Sequence, residues 1–262
     1  MRERPASERS RDRTYPPPPE PLLTPVLDSH CHLDIRDGDA WMDVDQALAA
    51  STAVGVTRIV QIGCDLPGAR WAVDAAQEYD ALVAGVALHP NEAPRLAAEG
   101  RLDEALAEIE RLAQAHDKVR AVGETGLDHF RTGPEGRDAH DEILDVLDAE
   151  GAPERWVMHC FSGNPRFARA CLDRGAFLSF AGTVTFKNAQ PVRDALAITP
   201  IDRVLVETDA PFLTPTPYRG RPNASYLVPV TVRAMAEVRG DDLTTLCEAI
   251  DATTDRAFGG AW

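Results

Sequence analysis

The chain has 262 residues, 44% of them hydrophobic and 26% charged, which is enough for one large domain or two small ones and excludes wholesale disorder. Its formal net charge of -15 excludes a coat that binds nucleic acid non-specifically, because phosphate would be repelled over most of the surface. Nucleic acid fits only as a substrate met where the local charge is reversed, and bound metal ions are one way to reverse it.

Residues 1–25 carry five arginines, four acids and the run Pro16–Pro19. They predict a flexible, polyproline-like, disordered tail that buries no core, with 26–262 as the folded domain. From Val26 onward, short β-branched runs alternate with amphipathic stretches. Strand patterns fall at Val26–Asp28, Arg58–Ile62, Leu82–Leu88, Val119–Gly123, Trp156–His159, Phe177–Phe180 and Arg203–Glu207. Helical patterns fall at Val44–Ala53, Ala69–Tyr79, Leu102–Ala115, Asp138–Glu150, Pro165–Arg174, Val192–Ala197, Val230–Val238 and Leu243–Phe258. No uncharged run approaches the roughly 18 apolar residues of a membrane-spanning helix. Five cysteines without a Cys-x-x-Cys pair, and an N-terminus without an apolar signal core, predict neither a disulfide framework nor a zinc knuckle but a reducing cytoplasm.

Repeated βα units predict parallel strands with helical crossovers. A doubly wound sheet would need a glycine-rich phosphate turn after its first strand, and none is present. A (β/α) barrel instead predicts polar residues collected at the C-terminal ends of several strands, which is the pattern here. The first strand runs into Asp28-Ser29-His30-Cys31-His32. With a side-chain period of two, His30 and His32 share one side and form half of a divalent-metal site, while Cys31 points into the packing. Later strand ends add Glu124, His159 and Asp209. His89, before Pro90, suits either a contact near the site or a helix-entry position, and His116 reads as a surface residue.

Six segments carry a family resemblance: Asp28–Asp34 (DSHCHLD), Ala87–Pro90 (ALHP), Gly123–Asp128 (GETGLD), His159–Gly163 (HCFSG), Leu178–Asn188 (LSFAGTVTFKN) and Glu207–Asn223 (ETDAPFLTPTPYRGRPN). As an ordered set they resemble the TatD-related metal-dependent hydrolases, a branch of the amidohydrolase-type TIM barrels. The resemblance implies hydrolysis of phosphodiester bonds by a metal-activated water, commonly as a 3′-to-5′ deoxyribonuclease with DNA as substrate. It implies one or two divalent ions (magnesium, zinc or manganese), with His30, His32 and Asp209 holding the first, Glu124 approaching both and His159 holding the second. Asp209 would also orient the water and take its proton, and Glu124 would set the metal spacing. Phosphate could be met by Arg131, Lys187, Arg219 or Arg221, with Arg219 the substrate-binding candidate. Tyr218 stands where the family often has a histidine.

The departure from the family follows GETGLD. There the pattern of relatives continues through a helix and a strand whose histidine is the second ligand of the second metal. Here Asp128–Arg131 leads almost directly to Arg137-Asp138-Ala139-His140. Seven strands remain where a closed barrel of this kind has eight, so one βα unit after Asp128 is expected to be missing. The expectation is therefore a monomeric, membrane-free hydrolase with a well-formed first metal site, a doubtful second one and reduced activity. A non-catalytic remnant and an amidohydrolase acting on a small non-nucleotide substrate are the alternatives.

Overall fold

The computed structural model describes residues 2–3, 12–127, 139–260 and 262. Asp128, Arg131, Arg137 and Asp138 lie outside the described residues. The chain divides into two compact units, 1–59 with 155–261, and 60–154 with 262.

The first unit contains strand β1 (Val26–Cys31) and the start of β2 (Val56–Gly63). It also holds β5 (Val157–Met158), β6 (Phe177–Phe180) and β7 (Val204–Val206). β5, β6 and β7 pair in parallel, with Val157 opposite Phe177 and Phe180 opposite Val206. Every residue of β1, β6 and β7 is buried, as expected of parallel strands covered on both faces. Its helices are α1 (Val44–Thr52), α6 (Pro165–Leu172), α7 (Gln190–Ile198), α8 (Val228–Arg239) and α9 (Leu243–Ala257). Their starts are written in the sequence. Asp43 and Gln46 form a capping box on α1, and Asn164 and Asp242 accept backbone N–H groups at the starts of α6 and α9. Gly240, at φ 70°, stops α8 in the left-handed conformation that favours glycine.

The second unit contains the end of β2, then β3 (Leu82–Val86) and β4 (Val119–Val122), paired in parallel with an irregularity between Ala84 and Gly85. Helices α2 (Leu66–Glu78), α3 (Glu92–Ala98) and α4 (Leu102–Ala113) build its core from Ala69, Val73, Leu96, Ile109 and Leu112, packed with Val86 of β3. Gly63 lets α2 start against the strand end, because a Cβ there would lie 2.4 Å from the Ala69 backbone. Helix α5 (Ala139–Glu150) buries no residue. Among the described residues no strand lies between Val122 and Val157.

The expected tail is corrected in part. Residues 12–25 pack on the first unit. The Arg221 guanidinium donates to the carbonyls of Thr14 and Tyr15, Tyr226 donates to Pro16 O, and Leu22 is buried with its N–H on Val54 O. Residues 2–3 pair in parallel with Ile35–Arg36. Helix α3 has no helical pattern of its own around Pro94, and its start matches the helix-entry alternative for His89.

Candidate metal centre

Strand β1 brings His30 and His32 to its C-terminal end, and the residues after β7 bring Asp209 beside them. The backbone secures this junction, with Asp209 N–H donating to His30 O and His32 N–H to Ala210 O, both at 2.9 Å. Asp209 adopts φ 54°, a left-handed conformation that a non-glycine residue holds only when its surroundings enforce it. Asp28 supplies much of that enforcement. Its carboxyl accepts from Thr208 N–H at 2.8 Å and from Thr208 Oγ1 at 2.5 Å, and its backbone lies two residues before His30. Complete burial pushes the Asp28 carboxyl up to about 6, against the lowering pull of the Thr208 and Ser225 hydrogen bonds. Asn223 donates to Thr208 O and Phe212 O, tying the following loop to the same place.

The three donor atoms form a tight triangle. His30 Nε2 and His32 Nε2 are 3.3 Å apart, His32 Nε2 and Asp209 Oδ1 3.3 Å, and His30 Nε2 and Asp209 Oδ1 3.8 Å. Ligands bound tetrahedrally at zinc-like distances sit about 3.4 Å from one another, so the triangle fits a divalent ion. Both imidazoles are buried, and the Asp209 side chain is 15% exposed. Cys31 points away, as the alternation predicts: Ser225 Oγ donates to its sulfur at 3.3 Å, and burial pushes its thiol far up.

His159, after β5, stacks its ring on that of His30, with centroids 4.1 Å apart and planes inclined by 7°. Donor atoms of His30, His159 and Glu207 lie within 4.8 Å of one another, a second grouping able to hold a cation. Glu207 has no expected role. Its Oε2 is buried without a hydrogen-bond partner among the described residues, a costly state that a nearby cation relieves. The signal that points to it is its place two residues before Asp209 in the ETD motif.

In the second unit, Glu124 accepts from Cys64 Sγ at 3.0 Å, and His89 Nε2 stands 3.9 Å from its carboxylate. His89 also opens α3: its carbonyl accepts from Glu92 N–H and its Nδ1 from Asn91 N–H. The candidate phosphate-binding cations are arranged differently. Arg219 is exposed, with its guanidinium 3.8 Å above the Phe186 ring, Lys187 is exposed, and Arg221 is engaged by Thr14 and Tyr15.

A family model described as TatD related DNase matches this chain over residues 27–136 and 136–259. The uncharacterized metal-dependent hydrolase TatD of Mycobacterium tuberculosis is 39% identical over 270 positions, covering 90% of this chain and 99% of that protein. The uncharacterized metal-dependent hydrolase YabD of Bacillus subtilis is 34% identical over 258 positions, covering 88% and 97%. The crystal structure of YJJV, a TatD homologue from Escherichia coli, matches with a TM-score of 0.80 at 25% identity, covering 90% of this chain and 98% of that one. A TatD-family hydrolase from Entamoeba histolytica, at 18% identity and a TM-score of 0.77 over 92% and 100%, bears on the fold alone. The fold is thus the TIM-type barrel of the amidohydrolase superfamily, and the chain belongs to the TatD-related family of metal-dependent hydrolases.

Proposed function

We propose that this hydrolase is a TatD-type deoxyribonuclease that cleaves phosphodiester bonds and trims DNA from its 3′ end. The observation that carries the reading is the buried triangle of His30, His32 and Asp209. A divalent ion held there would supply Lewis-acid chemistry towards water and phosphate. The neutral Nε2 atoms of His30 and His32 hold the cation, and this nitrogen-rich set suits zinc or manganese at least as well as magnesium. Asp209 orients the attacking water and takes its proton at the carboxylate. Asp28 and Thr208 keep that carboxylate in register with the two imidazoles. Arg219, exposed on the Phe186 ring, meets the phosphate. His159 would be the donor for a second cation, and the resemblance of the GETGLD motif alone assigns Glu124 as a ligand.

The reading includes a missing βα unit. It is supported by the two family-model stretches that meet at residue 136. It is also supported by the 270 aligned positions with the Mycobacterium tuberculosis relative, more than the 90% of this chain that takes part in them. The second ion then loses a histidine, so it binds weakly and hydrolysis is slowed. The enzyme acts as a monomer in the cytoplasm, consistent with five free cysteines. No helix among the described residues is long and apolar enough to cross a membrane.

The test is digestion of 5′-labelled single-stranded DNA with magnesium, manganese or zinc. A slow ladder shortened from the 3′ end is expected. No cleavage with any ion would overturn the nuclease reading; hydrolysis of small amide or ester substrates would then favour the amidohydrolase alternative, and inertness towards both would favour a non-catalytic remnant. Elemental analysis should find one tightly held ion per chain, and two would overturn the weakened second site.

A further inference from the structure

Glu207 follows directly on strand β7 and is fully buried. Its Oε1 accepts the backbone N–H of Cys160 at 2.8 Å and lies 3.5 Å from His159 Nδ1. That separation is longer than an ordinary hydrogen bond and the contact does not have hydrogen-bond geometry here, so the carboxylate faces Nδ1 without bonding it. The Cys160 contact fixes the carboxylate against the residue directly after His159, and Cys160 itself holds φ 46°, so this strand end is enforced rather than relaxed. The orphaned Oε2 completes the observation: the carboxylate is half-bonded in a place that water does not reach.

We propose that Glu207 is a positioning residue for His159: it accepts the Nδ1–H of the imidazole and thereby leaves Nε2 as the donor for a cation. The proposal rests on the reading of His159 as a metal ligand and deepens it. A carboxylate behind a ligating histidine fixes the tautomer and ring orientation, and its loss typically lowers metal affinity by about 10–100-fold. It also gives the second cation position a support that does not depend on the missing βα unit, since Glu207 and His159 both belong to the intact first unit.

The test combines ring nitrogen-15 NMR on metal-free protein with manganese and zinc calorimetry. In the wild type, His159 should be the Nδ1–H tautomer. Glu207→Gln keeps an oxygen acceptor and should keep that tautomer; Glu207→Ala should lose it and weaken the ion at His159 by about 10–100-fold. An Nε2–H tautomer in the wild type overturns the proposal, as does an unchanged tautomer in Glu207→Ala. These two results decide the matter even if only one ion binds, and the wild-type spectrum decides it if Glu207→Ala does not fold. Loss of the ion in Glu207→Gln as complete as in Glu207→Ala would instead make the carboxylate a direct ligand. A His159→Ala variant that binds ions as the wild type does would overturn the reading of His159 itself.

Discussion

Strands β6 and β7 are buried along their whole length, whereas β4 is half-buried and ends on Val122, 66% exposed. Both are parallel strands, and parallel strands are normally covered on both faces. Around β6 and β7 that rule holds, and the interior also carries Asp28, Ser179, Glu207 and Thr208 with hydrogen bonds that fix the strand ends. β4 departs from the rule among the described residues: its residues are half-buried or exposed, and Leu127 after it is 40% exposed. The well-covered region holds the His30–His32–Asp209 triangle, and the open region is the one that leads into the break in the family match at residue 136. The half-site is secured locally, because Asp28 and Asn223 hold Thr208 beside it and the backbone of Asp209 pairs with His30.

The largest effect should come from the triangle itself. His32→Ala should lower the hydrolytic rate by about a thousandfold, equivalent to about 4 kcal/mol of transition-state stabilisation, while the melting curve stays cooperative. A loss below tenfold would show that the triangle is not the reacting centre. Phe180→Ala, in the fully buried region, should cost about 3–5 kcal/mol in a urea titration. A cost under 1 kcal/mol would erase the contrast with β4. Chelation should come next: removing a divalent ion present at a hundred times its dissociation constant withdraws about 2.7 kcal/mol of stability. An unchanged melting temperature after chelation and dialysis would mean that no ion is held by the folded state.

Much of this is legible from residues alone, and the exceptions have physical reasons. All seven barrel strands coincide with short apolar, mostly β-branched runs, and β1, β6 and β7, buried on both faces, need apolar residues almost throughout. His30 and His32 follow from the strand period of two. Glu207 escapes the same logic because the φ of 54° at Asp209 breaks the alternation and sends the two carboxylates to different partners. Residues 12–25 look like a tail because their composition is poor in core formers. Their anchors are Arg221, Tyr226 and Arg233, some 200 residues away, which meet backbone carbonyls that any sequence would present. Helix α3 is seven residues long, carries Pro94 and lacks a side-chain cap, so no periodic signal develops.

The smallest effect is the most direct test of the contrast between the two regions. Val122 is the last residue of β4 and its side chain meets water over most of its surface, so truncation leaves no cavity and removes little buried area. Val122→Ala should therefore change stability by less than about 0.5 kcal/mol. The same change at Val206, buried at the end of β7, should cost clearly more, because the lost methyl groups leave a hole that packed neighbours fill only in part. Equal costs at the two positions would mean that β4 is covered in solution. The open face would then belong to an interface, and a concentration-dependent melting temperature for the wild type that disappears in a charged variant such as Val122→Lys would identify it.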